Sequence, residues 1–361
     1  MAGIYIHIPF CKSRCRYCDF FSTTQLDKRE AYIQAVIQEW QSHQPKWSQQ
    51  EIRTIYLGGG TPSLIPNESL RLLLHSILSS IDTSHVQEIT LEANPGDITA
   101  ENIRAWRAMG INRLSMGVQS FNDRLLQLVG RRHSAEQAIQ AVKMAQAEGI
   151  SNISIDLMYA LPGQTMTEWQ ADIAQALALQ VPHISSYGLI YEEGTPLTKY
   201  LEQGKIIAID EEEEMQMYDY LVEQLTQHGY EHYEVSNFGM PGQHSKHNSS
   251  YWNDTPYLGL GAGAHSYDGN TRWWNIPDID AYISQAMRQQ LTPEREVINS
   301  EERHMEQVML GLRTNKGVPC HAVNMDKAQA YNAFWNSFDL PAYDNASVPD
   351  GAQFPRITYE F

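Results

Sequence analysis

Apolar and β-branched residues gather in short runs over the first two-thirds of the chain, each followed by a longer stretch with helical spacing. The runs at residues 4–8, 54–57, 88–92, 113–118, 152–157 and 183–189 predict strands. Several read as continuously apolar or β-branched, as for parallel strands covered on both faces. Residues 29–41, 68–80, 100–108, 135–148 and 167–178 predict helices between them. Thr99-Ala-Glu101 and Ser134-Ala-Glu136 pair a hydroxyl with an early acid, the pattern of an N-terminal cap, while Gly110 and Gly149 stand where C-caps belong. Six such repeats predict an α/β fold on a partial parallel (β/α)6 TIM-like barrel, with functional residues at the C-terminal strand ends.

A further helix is expected over residues 210–227, where Asp210-Glu-Glu-Glu-Glu214 reads as a solvated first turn complementing the helix dipole. Beyond Tyr233 the sequence becomes rich in Gly, Asn, Trp and Tyr through Trp274, and helical spacing returns at 278–289 and 300–313. The expected organisation is a barrel over 1–235, a smaller α+β C-terminal extension over 236–324, and an atypical tail over 325–361, the last domain being truncated or replaced.

The 361 residues carry 26 basic and 43 acidic side chains, a net charge of −17, which argues against a nucleic-acid partner and against docking on anionic lipid by charge alone. No run matches a membrane span, and the first residues lack a signal-peptide layout, so a cytoplasmic protein is expected, with peripheral membrane contact left open. Three of the four cysteines fall within the first eighteen residues, which favours metal or cluster binding over a disulfide framework.

Those three, Cys11, Cys15 and Cys18, form C-x3-C-x2-C directly after the first strand. Three thiolates on one loop suit a 4Fe–4S cluster with one iron free of protein ligand and open to a small molecule. The aromatic loop residues Tyr17, Phe20 and Phe21 would screen such a cluster from water. A zinc site completed by His7 is the simpler alternative. After the second strand, Gly58-Gly59-Gly60-Thr61-Pro62 lets backbone approach a ligand, although plain turns also use such glycines. Glu92, Gln119 and Asp156 end the next three strands, and Arg131 opens the segment before a helix. Each could be a structural hydrogen-bonding residue; together they make a polar ring suited to a zwitterionic ligand with ribose hydroxyls.

The strings YIHIPFC, LGGGTPS, RLSMGVQSF, IDLMYALPGQT, HNSSYW and YLGLGAGAHS resemble the radical S-adenosylmethionine (SAM) superfamily. Within it they resemble the branch that holds oxygen-independent coproporphyrinogen III dehydrogenase and the HemW-type haem chaperones, over residues 3–320. The resemblance implies a 4Fe–4S cluster on Cys11, Cys15 and Cys18, with SAM on the open iron and reductively cleaved to methionine and a 5′-deoxyadenosyl radical. It implies Tyr5, Tyr17, Gly59, Gly60, Thr61, Glu92, Gln119, Arg131, Asp156 and Gly188 around one or two SAM molecules. No side chain is assigned a catalytic role.

Three features lean towards the chaperones. The dehydrogenase carries a fourth cysteine where this chain has Phe20, and a long extension before the first strand. His247-Asn248-Ser-Ser-Tyr251 resembles the chaperones' HNxxY motif, which implies His247 as a haem ligand, an imidazole being able to bind haem iron. Without the resemblance, a packed histidine is the plainer reading, and His265, Trp273 and Trp274 read as packing. The expected role is delivery of haem, as cargo, to acceptor proteins, with a flavodoxin or ferredoxin supplying electrons. Oxidative decarboxylation of coproporphyrinogen III is the alternative, and a cluster-based sensor a third. Near Cys320, itself expected to be structural, the resemblance ends. Tyr331, Phe334, Trp335 and Phe338 then share one helical face in a segment weakly resembling the start of small phage tail-assembly proteins, so an aberrant junction is expected near Asn324.

Overall fold

Parallel strand pairing organises the molecule. The computed structural model describes residues 1–318, so Cys320 and the tail from Met325 lie outside the described residues. The first half runs β1 (Ala2–Ile8), α1 (Arg29–Trp47), β2 (Ile52–Gly59), α2 (Asn67–Leu78), β3 (Glu88–Ala93), α3 (Ala100–Ala108) and β4 (Arg113–Gln119). It continues through α4 (Asp123–Leu128), α5 (Ala135–Ala147), β5 (Asn152–Tyr159), α6 (Met166–Ala178) and β6 (His183–Gly188). Then come α7 (Pro196–Glu202), α8 (Glu211–Gln227), β7 (Glu231–Glu234), β8 (Asn237–Gly239), α9 (Lys246–Trp252) and β9 (Tyr257–Leu260). β10 (His265–Tyr267), β11 (Thr271–Trp274), α10 (Ile279–Met287), β12 (Glu294–Val297) and α11 (Ser300–Leu312) complete the described chain.

All strands join one sheet, in the order β12-β11-β10-β9-β1-β2-β3-β4-β5-β6-β8-β7. β1 to β6 are the expected (β/α)6 unit, each parallel to the next. Residues after 235 lengthen the same sheet at both edges: β8 pairs antiparallel with β6, and β9 pairs parallel with β1. Among the described residues no helix is long and apolar enough to cross a membrane.

The expected helices are present, and their caps explain where they begin. Thr99 accepts from the Asn102 N–H at 3.1 Å, and Ser134 and Thr165 form reciprocal capping boxes with Gln137 and Glu168. The apolar faces of these helices bury Trp40, Trp106 and Trp169 against the sheet together with Ile4, Ile6, Ile55, Leu91, Leu114 and Ile155. Burial of one such large side chain stabilises the fold by roughly 1.5–3 kcal/mol.

The strands differ from the expected continuous apolar runs. Alternate positions are polar: Thr54 and Tyr56, Glu88, Thr90 and Glu92, Arg113 and Ser115, Ser154 and Asp156, His183 and Ser185. These residues bond across the inner face, as Tyr56 does to Glu92, Arg113 to Asn152 and Ser154 to His183. A closed barrel fills its interior with apolar layers. Among the described residues this sheet does not close on itself: β12 lies at one end, and at the other β7 meets the segment around Thr314. Its inner face is left to polar groups, many of which bond one another.

Glu39 ties the added strands to α1. Its Oε2 accepts the Gly261 N–H at 2.8 Å and the Tyr282 hydroxyl at 2.5 Å, and its Oε1 accepts from Asn275 Nδ2 at 2.6 Å. Burial pushes the carboxyl up to about 7, against the pull of these donors. The folded value exceeds the unfolded one of about 4.3, so this group's stabilising contribution is complete below ~4.3 and lost as pH rises through about 7. Between pH 5.5 and 8, wild-type protein should lose roughly 2 kcal/mol more stability than Glu39→Gln in urea denaturation. Equal pH slopes in the two proteins would refute this account.

Candidate functional site

The cysteine loop leaves β1 at Ile8 and is fixed by backbone bonds. The Cys11 N–H donates to Thr23 O at 2.9 Å and the Thr23 N–H to Pro9 O at 2.6 Å, drawing its ends together. Its middle is held by Arg16 N–H to Val129 O at 3.0 Å and Leu197 N–H to Arg16 O at 2.9 Å. These partners sit at the end of α4 and in α7, two short helices absent from the sequence reading. Cys11, Cys15 and Cys18 are half-buried, free thiols. Thr61 Oγ1 donates to Cys11 Sγ at 3.6 Å and Arg131 Nη1 to Cys15 Sγ at 3.3 Å. Burial raises the Cys11 thiol and pushes that of Cys18 up to about 11.

This donor set fits a cluster. Three thiols share one loop, a threonine and a half-buried arginine already donate to two of the sulfurs, and Arg131 Nε is buried without a partner. The zinc alternative loses its fourth ligand, since His7 Nδ1 bonds Tyr5 Oη at 3.0 Å and His7 Nε2 bonds Phe21 O at 3.0 Å. Among the described residues, no three His, Cys, Asp or Glu side chains converge on a single ion. A cubane asks for something else, one thiolate on each of three separate irons.

The polar ring is assembled beside the loop. Glu92 accepts from Tyr56 Oη at 2.7 Å and from the Gly59 N–H at 3.0 Å. Burial lifts it to about 7; Tyr56 opposes the shift and Asp156 adds to it. Asp156 is lifted to about 6 by burial, with Arg131 opposing. Two carboxyls titrating near neutrality on one inner face suit a cationic ligand group. Gln119 ends β4 at a bulge with φ of 70°, and Asp172 anchors the following turn through Ser120 Oγ and the Phe121 N–H, both at 2.7 Å. Such a strained non-glycine residue is characteristic of functional turns.

The glycines are explained by protein packing. A Cβ on Gly59 would lie 2.6 Å from the His7 ring, and one on Gly60 would lie 2.8 Å from Phe10 O. At Gly188 a Cβ would lie 2.5 Å from Glu214 Oε1. Glu214 therefore departs from the solvated acidic turn expected of it and reaches back to the end of β6. Tyr5 is half-buried and stacks on Tyr56 with centroids 6.1 Å apart, and Tyr17 packs against the cluster of Leu125, Val129, Leu161, Leu189 and Leu197.

His247 is not brought to this ring. It is 1% exposed, and its Nδ1 bonds Thr54 Oγ1 at 2.8 Å while its Nε2 bonds Tyr251 Oη at 2.9 Å. Its N–H donates to Glu88 Oε1 at 3.0 Å, and its ring stacks on Tyr56 with centroids 5.0 Å apart. Gly3, beside it, lies five residues before the end of β1, so His247 sits roughly 16 Å below the cysteine end at ~3.3 Å per residue. Burial lowers its pKa to about 3. An equivalent arrangement recurs at His183, whose nitrogens meet Ser154 Oγ and Tyr233 Oη, each at 2.7 Å.

Asp97 escaped the sequence reading, being one acid in an ordinary turn. Its buried carboxylate accepts Lys12 Nζ at 3.1 Å, Ser63 Oγ at 3.0 Å and Arg132 Nη2 at 3.1 Å. It thus clasps the cysteine loop, the glycine loop and the segment that carries Arg131. Asp97→Ala should cost about 1–3 kcal/mol in urea denaturation, because two buried-side donors lose their acceptor, and should speed alkylation of Cys11 in the apoprotein. Unchanged alkylation would show that the clasp does not hold the loop.

Comparison with known proteins places these features in a lineage. A family profile described as "Radical SAM superfamily" matches residues 5–176. The chain is 40% identical to the haem chaperone HemW of Lactococcus lactis over 315 residues, covering 87% of this chain and 82% of that protein. It is 38% identical to HemW of Bacillus subtilis, covering 88% and 85%. Coproporphyrinogen III oxidase (HemN) from Escherichia coli shares the fold, with a TM-score of 0.76, 24% identity and coverage of 87% and 76%. By identity over most of those relatives' length, the chain belongs to the HemW family of the radical SAM superfamily.

Proposed function

We propose that this protein is a haem chaperone that holds a 4Fe–4S cluster and SAM in its barrel mouth and passes haem to acceptor proteins in the cytoplasm. Superfamily membership implies the cluster and SAM, and the chaperone role rests on the names of the relatives. The observation that carries the site assignment is the trio of free thiols, with Thr61 and Arg131 on their sulfurs, beside the ring of Glu92, Gln119 and Asp156.

Cys11, Cys15 and Cys18 would hold the cluster. When reduced by a donor such as a flavodoxin or ferredoxin, it supplies reductive cleavage of SAM to methionine and a 5′-deoxyadenosyl radical. The protein's own work is positional. Arg131 donates to Cys15 Sγ and lays positive charge against it. Glu92 and Asp156 offer carboxyls that ionise when an ammonium or sulfonium approaches. Tyr5 and Tyr17 close the space around the site with half-buried rings, and Gly59, Gly60 and Gly188 keep the strand ends close. Phe20 is 68% exposed at the position where a fourth thiol would mark the decarboxylating branch.

Anaerobic reconstitution with iron and sulfide tests this reading on one sample. Wild-type protein should gain the broad cluster absorbance, bind SAM and take up haem, whereas Cys15→Ser should lose the cluster. Conversion of coproporphyrinogen III to protoporphyrinogen IX would overturn it in favour of the dehydrogenase, and failure to bind SAM would remove the superfamily chemistry.

A further inference from the structure

We infer that a basic strip across the cysteine loop, from Lys12 through Arg132 and Arg16 to Lys205, docks an acidic protein that carries a one-electron centre. The inference rests on the cluster reading and says where the electron enters.

In a chain of net charge −17, positive charge gathers around the cysteines. Residues 11–18 carry Lys12, Arg14 and Arg16 with no acid, and residues 127–134 carry Arg131 and Arg132 with none. The structure joins them into one strip. Lys12 and Arg132 share the buried Asp97, each at 3.1 Å, so one carboxylate answers two cations. Arg131, beside Arg132 in the chain, reaches Cys15 Sγ at 3.3 Å, and a Cβ on Gly130 would lie 3.3 Å from Arg16 Cγ. The Arg16 guanidinium and the Lys205 ammonium then both lie over the Tyr200 ring, 5.8 and 5.4 Å from its centroid. Arg14 and Arg16 donate to the backbone carbonyls of Ser22, Gln127 and Leu128. Among the described residues no carboxylate pairs with Arg14, Arg16 or Lys205. The acids beside the strip are Asp19, exposed after Cys18, and Asp123, whose Oδ1 takes the Ala135 N–H at 2.7 Å.

The wall over the thiols is thin here. Arg131, besides touching Cys15 Sγ, lines a surface cavity of about 230 Å³ together with Gln127 and Arg132. Gly130 puts no side chain between that surface and the loop, and its Cβ position lies 3.8 Å from Cys15 Cα. A redox centre seated over the strip is one arginine side chain away from a cluster thiol.

Charge selects the class of partner. The acidic remainder of the surface repels an acidic protein, so such a partner is steered onto the strip and oriented by it. An extended polyanion, a nucleic acid or a lipid sheet, would overlap the acidic surroundings as well. The chemistry selects the centre. Cys11, Cys15 and Cys18 are the free cysteines of the described residues, which leaves no thiolates there for a second cluster, so the electron comes from a partner. The reduced carrier gives up one electron and leaves oxidised by one, and the cluster on Cys11, Cys15 and Cys18 is reduced by one.

Binding of an acidic flavodoxin to the full chain, first without cluster, tests the docking. Wild-type protein should bind it, with affinity falling about tenfold between roughly 50 and 300 mM salt. Arg14→Gln combined with Lys205→Glu should weaken low-salt binding by about fivefold or more at an unchanged thermal midpoint. Lys143→Glu, on the exposed face of α5, should bind like wild type. After reconstitution the double variant should accept electrons several-fold more slowly from reduced flavodoxin, yet at the wild-type rate from dithionite. Equal flavodoxin binding or equal flavodoxin-driven reduction in wild type and double variant overturns the proposal and leaves the cluster reading intact. Strip-dependent binding to phosphatidylglycerol vesicles in place of flavodoxin overturns it too. Failure of wild-type protein to take up a cluster overturns that reading, and the proposal with it.

Discussion

β1 has a parallel neighbour on each side, β2 and β9, and this double pairing is the constraint on which the site depends. The chain leaving β1 must pass between the two turns that leave its neighbours. Both turns press on it through glycine: the Cβ positions of Gly60 and Gly261 coincide with the carbonyl surroundings of Phe10 and His7. Any side chain there would push a neighbour off the backbone that launches the cysteines. Tyr32 completes the vice, donating its hydroxyl to His7 O at 2.8 Å while accepting the Ala262 N–H at 2.9 Å. The course of the chain into the three thiols is thus set by backbone packing against the residues directly before Cys11.

Much of this was legible in the sequence, because local signals carry it. Six strands, five helices and their caps follow from runs, spacing and hydroxyl–acid pairs, and the cysteine spacing announces its own chemistry. What escaped depends on contacts between distant residues. α4 and α7 span only six and seven residues, too few for a helical periodicity to stand out. Asp97 and Glu39 are lone acids whose importance comes from three donors converging on each from separate elements. His247 shows the limit most clearly. Its aromatic surroundings were visible, but its partner Thr54 is 193 residues away, and no local pattern tells a committed imidazole from a free one.

The inner face also explains why a run of β-branched residues misleads. Thr54, Thr90, Ser115 and Ser154 pass for strand formers in a list of letters, yet they are the polar half of an alternation with period two. The hydroxyls of Thr54 and Ser154 satisfy neighbours that would otherwise be buried alone, the imidazoles of His247 and His183. The polar interior is therefore a network, and removing one hydroxyl leaves its imidazole partner unpaired rather than leaving a hole.

The unclosed sheet has a consequence for the size of what the protein can carry. In a closed barrel the number of strands fixes the bore, and eight strands leave room for little beyond their own side chains. Here, among the described residues, β12 and β7 are not paired with each other, so strand count sets no bore. A broad, rigid guest is then selected by the groups along the inner face rather than by a fixed bore.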